Sequence, residues 1–107
     1  MPSKESRTED VILLSGLGEG WYRLCNPELK LAARLLWDIR TFPYLWSWQM
    51  YGGHWGYPDY GRSYALGLEP FNCPIFPLAE CVERNVAQVL QPGETVETNL
   101  EMSMLEI

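Results

Sequence analysis

The sequence predicts a fold built on antiparallel β-strands, on three observations. Val96, Thr98, Leu100, Met102 and Met104 alternate with Glu97, Asn99, Glu101 and Ser103, the period of two that lays one side of a strand against a core. Just upstream, residues 86–90 are apolar and partly β-branched, and Gln91-Pro92-Gly93-Glu94 supplies a Pro-Gly turn, so the two stretches read together as a C-terminal β-hairpin. In residues 42–50, Tyr44, Trp46 and Trp48 fall on one side of an extended chain and Leu45, Ser47 and Gln49 on the other.

Taken from the start, residues 1–10 are polar and mixed in charge, a tail ahead of a domain over residues 11–107. The apolar VILLSGLG after them is shorter than a typical signal-peptide core, and the residues before it are mixed in charge rather than basic. Residues 26–40 carry two patterns. Asn26 could cap a helix opened by Pro27, with Leu29, Ala32, Ala33 and Leu36 at helical spacing. The same residues also alternate, with Leu29, Leu31, Ala33, Leu35 and Trp37 on one side. Propensity by itself favours the helix. Residues 42–64 hold nine of the fourteen aromatics, interleaved with glycines and prolines; so long an aromatic and glycine-rich segment is costly to order and is seldom a mere connector. Tyr64-Ala65-Leu66-Gly67-Leu68-Glu69-Pro70-Phe71 reads as a short buried strand, and residues 78–89 again divide between helix and strand, with Leu78, Val82 and Val86 four apart.

Composition narrows the function classes. A chain of 107 residues, 47% hydrophobic and 21% charged, is one domain at most, with a thin core. Its net charge of −6 and lack of a basic cluster argue against nucleic acid as a partner. The longest charge-free stretch, residues 41–58, contains two prolines and three glycines, so no membrane span is expected. Cys25, Cys73 and Cys81 are odd in number and lack a Cys-x-x-Cys spacing. That argues against a disulfide framework and a zinc site and fits reduced thiols in a cytoplasmic protein. Phosphate-binding glycine loops, Gly-x-Ser-x-Gly and His-Glu-x-x-His are absent from the sequence.

The residues able to carry chemistry are few. Glu69, at the end of an apolar run, suits a general base if partly desolvated; an edge-strand glutamate turned to water is the plainer alternative. His54, the one imidazole, stands among Gly52, Gly53 and Gly56, where a loop can approach a ligand closely. Trp46, Trp48, Tyr51, Trp55, Tyr57 and Tyr60 offer flat apolar faces suited to pyranose rings, although some belong to the core. Arg62 and Asp59 could bond a sugar or pair with each other. No metal site is expected, because His54 has no second ligand at suitable spacing.

In order, GWYRLCNPELKLAARLLWD, FPYLWSWQMYGG, GYPDYGRSYALGLEPF and VLQPGETVE resemble the C-terminal portion of the aldose 1-epimerase, or galactose mutarotase-like, family. The resemblance implies an all-β fold, part of a large antiparallel β-sandwich, with strands in most of residues 26–40 and 78–89. It further implies an isomerase that interconverts the α and β anomers of a free aldose by acid–base ring opening, without a cofactor. Leu68-Glu69-Pro70 matches the family's base motif, which gives Glu69 that role, with Trp46, Trp48, Tyr51, His54, Trp55, Tyr60 and Arg62 as the sugar-contacting set. The family's acid histidine precedes the matching region, so the role does not pass to His54. The expectation is a part-domain whose open sheet edges lead to self-association or to a second chain completing the sandwich. A non-catalytic carbohydrate-binding module, or a structural subunit or fragment, is the alternative.

Overall fold

A computed structural model of the chain describes residues 1–74 and 77–107. The expected fold class holds: the chain is nearly all-β, with two antiparallel three-stranded sheets in a sandwich-like arrangement. Strands β1 (Thr8–Leu14), β4 (Tyr44–Tyr51) and β5 (Tyr64–Phe71) form one sheet in the order β1-β4-β5. Strands β2 (Trp21–Asn26), β3 (Leu31–Trp37) and β6 (Leu100–Glu106) form the other, in the order β2-β3-β6. A short 3-10 turn (Lys4–Ser6) precedes β1, and one helix, α1 (Leu78–Glu83), follows β5.

Residues 26–40 take the alternating reading. Asn26 caps a tight turn rather than a helix: its Oδ1 accepts the Leu29 N–H (3.1 Å), Lys30 N–H donates to the Pro27 carbonyl (3.3 Å), and Lys30 adopts φ 53°. That turn folds β2 back on β3, pairing Asn26 with Leu31 and Trp21 with Leu36. Partner strands on both sides of β3 satisfy its backbone along its length, and that outweighs helix propensity of a few tenths of a kcal/mol per residue.

Four expectations are corrected. Residues 1–10 are not a free tail, because β1 begins at Thr8 and pairs with β4 from Thr8↔Tyr51 to Leu14↔Leu45. Residues 78–83 are helical, not strand, so the four-residue spacing there gave the right element. The C-terminal hairpin does not form. The turn is present, with Glu94 N–H donating to the Gln91 carbonyl (2.9 Å) and Gly93 at φ 83°, but residues 86–90 make no strand. β6 begins at Leu100 and crosses to the far edge of β3, a long-range pairing that local turn chemistry cannot specify. Finally, Cys73 and Cys81 are joined in a disulfide, leaving Cys25 as the free, exposed thiol. Spacing in sequence did not reveal the pair because α1 brings Cys81 back beneath the end of β5.

The core is thin. Ala32, Trp37, Leu45, Met50, Tyr51, Cys73 and Cys81 are its buried apolar residues among those described. Trp37 anchors one end: its Nε1–H donates to the Phe42 carbonyl (2.9 Å), its ring meets Tyr22 at 6.1 Å, and its backbone N–H donates to the Gly20 carbonyl (2.8 Å).

Candidate functional site

In antiparallel sheets directly opposed residues share a face. The register Leu13↔Trp46, Val11↔Trp48, Trp46↔Glu69 and Tyr44↔Phe71 therefore gathers these side chains on one face of the β1-β4-β5 sheet. There Val11, Trp46, Trp48, Glu69 and Phe71 line an open, mainly apolar groove of about 490 Å³, within the size range of small-molecule sites. Trp46 is fixed from behind, since its Nε1–H donates to the Cys73 carbonyl (3.3 Å), which ties the groove to the disulfide-closed segment. Trp48 is 40% exposed and presents its ring to solvent.

Gly67 makes room for the carboxylate. A Cβ at that position would come 2.8 Å from Glu69 Oε1 and 3.5 Å from the Trp48 Cβ. The Glu69 side chain thus lies back over Gly67, the residue paired with Trp48. β5 has a neighbour on one side only, and Glu69 is exposed, so the expected desolvation is not realised: a strand at the sheet edge leaves its outer side open to water.

The remaining sequence candidates lie elsewhere. Tyr51 is corrected as a sugar contact: it is 3% exposed and shares the Leu45-Ser47-Gln49 side of β4, opposite Trp46 and Trp48, where it meets Tyr64 at 5.6 Å. His54 Nδ1 lies 3.2 Å from Glu9 Oε2, and that hydrogen bond is the main cause raising the imidazole pKa from its ordinary value. Glu9 stands opposite Met50 and Glu69 opposite Trp46, four residues apart along β4, or about 13 Å at roughly 3.3 Å per residue. His54 and Glu69 therefore do not meet across one pyranose ring.

Trp55 is covered by the Arg7 guanidinium, 5.2 Å from its centroid, and packs over Gly61, where a Cβ would come 2.8 Å from the ring. Tyr60 meets Tyr57 edge-on at 6.3 Å and carries Arg62 at 5.5 Å. The Asp59 carboxylate takes the Ser63 hydroxyl. These groups pack the 53–63 loop onto itself, at a distance from the groove. Val11 and Phe71 went unread as lining residues, because only the pairing register shows that they reach Trp46 and Trp48.

A second depression of about 590 Å³ lies beside Trp37, Asp38, Arg40 and Glu101. Two of its charged groups pair with each other: Arg40 Nη2 meets Asp38 Oδ2 at 2.8 Å, and this pairing holds the Asp38 carboxyl below its ordinary range. Among the described residues no group of three or more His, Cys, Asp or Glu side chains could hold a metal ion, and no helix is long and apolar enough to cross a membrane.

Fold and groove together define a small all-β domain that presents two indoles and a carboxylate on one open sheet face. The chain belongs to the family described as Domain of unknown function (DUF4432), whose model matches residues 2–104. No curated protein and no solved structure matches it.

Proposed function

We propose that the chain binds a pyranose sugar in the Trp46–Trp48–Glu69 groove and that Glu69 acts there as the base of an aldose 1-epimerase-type anomer interconversion. The observation that carries the reading is the Glu69 carboxylate laid over Gly67, the residue paired with Trp48, in a groove that Trp48 and Glu69 both line. An indole face stacks on the apolar C–H side of a pyranose, while an adjacent carboxylate accepts a hydroxyl proton from its edge. In the reaction Glu69 takes the anomeric hydroxyl proton, the bond from C1 to the ring oxygen breaks, and the ring oxygen gains a proton as the open aldehyde forms. Rotation about the C1–C2 bond and the reverse proton transfers close the other anomer.

The second reading is binding without turnover, favoured by the position of His54, which is held by Glu9 away from the groove. A general acid contributes about 10²- to 10⁴-fold, so with water as the proton donor to the ring oxygen the chain turns over slowly.

Polarimetry on α-glucose and α-galactose tests the proposal. Glu69→Gln is expected to bring the rate down to that of buffer, with sugar quenching of tryptophan fluorescence retained. Trp48→Ala is expected to abolish the quenching. Gly67→Ala moves the flexible end of Glu69 and lowers the rate while the fold is kept. Equal rates for parent and Glu69→Gln discard the catalytic reading, and absence of quenching in the parent discards the sugar.

A further inference from the structure

Two arginines face each other on the β2-β3-β6 sheet. Arg23 and Arg34 are paired across β2 and β3, and Ser103 stands opposite Arg34 on β6. Directly opposed residues share a face with Cβ atoms about 4.5–5.5 Å apart, and like charges so placed are destabilising. Both arginines are exposed. The ion pairs among the described residues are Arg40–Asp38, His54–Glu9 and Arg84–Glu80, so neither member of the couple is balanced by a carboxylate there. Glu101, diagonal to Arg34 on the same face, lines the Asp38–Arg40 depression.

The couple borders an open depression of about 500 Å³ that Glu19, Trp21 and Leu36 also line. Trp21 is 52% exposed and precedes Arg23 by two residues, which puts both on one side of β2, about 7 Å apart. Leu36 stands opposite Trp21. An indole and a leucine thus form an apolar surface beside two positive charges that the described residues leave unbalanced.

We propose that this depression binds a phosphate monoester carrying a flat ring, with the phosphate between Arg23 and Arg34 and the ring against Trp21. Guanidinium forks bind phosphate oxygens bidentately through charge-assisted hydrogen bonds. A phosphate monoester carries about −1.5 to −2 at neutral pH, which matches two arginines, whereas a carboxylate leaves half of the couple unbalanced. Ser103, next in the Arg23–Arg34 row, is a hydroxyl donor for a further oxygen. Glu19 lines the depression at the Trp21 end, where its charge repels the phosphate and so fixes the ligand's direction. The chain's net −6 opposes a long polyanion, but a single phosphate needs only the local pair, since exposed charges beyond about 8 Å are screened at physiological ionic strength.

Isothermal titration of the full chain with phenyl phosphate and with inorganic phosphate provides the test. Phenyl phosphate is expected to saturate a single site, and inorganic phosphate to bind there about tenfold more weakly for want of the ring. Arg23→Gln and Arg34→Gln, at exposed positions, are each expected to weaken phenyl phosphate about tenfold or more with unchanged β-sheet circular dichroism. Arg23→Glu sets opposite charges face to face, so it is expected to abolish binding while raising the urea midpoint, a gain that a misfolded variant would not show. Trp48→Ala, in the groove of the other sheet, is expected to bind phenyl phosphate as the parent does, which keeps this test separate from that of the sugar reading. The proposal is overturned if phenyl phosphate gives no saturable heat, if inorganic phosphate binds equally well, or if both glutamine variants bind like the parent. Loss of binding in Trp48→Ala overturns it equally, because the ligand then occupies the other groove.

Discussion

At the scale of single residues, charge pairing at the protein surface gives a measurable handle. His54 titrates above its ordinary 6.5, chiefly because protonated imidazole is held by the Glu9 carboxylate. A group whose folded pKa is raised contributes stability that is complete below its unfolded value and is lost as pH climbs through the raised one. The His54–Glu9 pair therefore helps to hold the 53–63 loop against β1 below the ordinary imidazole pKa, and that contribution is lost as pH climbs through the raised one. NMR titration of the imidazole is expected to show a raised pKa that falls back toward 6.5 in Glu9→Gln. An unchanged titration in that variant would rule the pairing out. That Trp46 and Trp48 share a strand side was legible in the alternation of β4, whereas Glu69 was singled out by the family resemblance of Leu68-Glu69-Pro70, and only the register sets it opposite Trp46. Tyr51 was misplaced for a geometrical reason: five residues beyond Trp46 in the same strand, it faces the other way.

At the scale of elements, two connections bear the tertiary load. A Cβ on Gly20 would overlap the Trp37 backbone carbonyl and come 2.9 Å from its indole, and backbone cannot give way as a flexible side chain does. Gly20→Ala is expected to cost about 1–3 kcal/mol, read as a lower urea midpoint with an unchanged slope. The Cys73–Cys81 link, at a sequence separation of 8, pins α1 to the end of β5. Replacing both cysteines by alanine is expected to cost about 2–3 kcal/mol on the loop-entropy account. Amide exchange should then quicken in α1 before it does in the β4–β5 ladder, and uniform loss of protection would contradict that order. The helix at residues 78–83 shows the limit of pattern reading: Leu78 and Val82 are spaced for a helix but remain exposed, so periodicity named the element without a buried face to confirm it.

At the scale of the whole molecule, the chain is more open than its length requires. Its radius of gyration is 16.5 Å, against about 13 Å for a compact domain of this size. The amino-acid sequence by itself determined strands β4 and β5, which residues of β4 share a side, and the alternation that makes one side of β6 apolar. Those features are local, set by a period of two. Only the tertiary structure decided that β6 joins β3, that β1 reaches back to Thr8, that Cys73 finds Cys81, and that Val11 and Phe71 flank Trp46 and Trp48. Each of these depends on register between distant segments, and a shift of one residue would send every side chain to the opposite face.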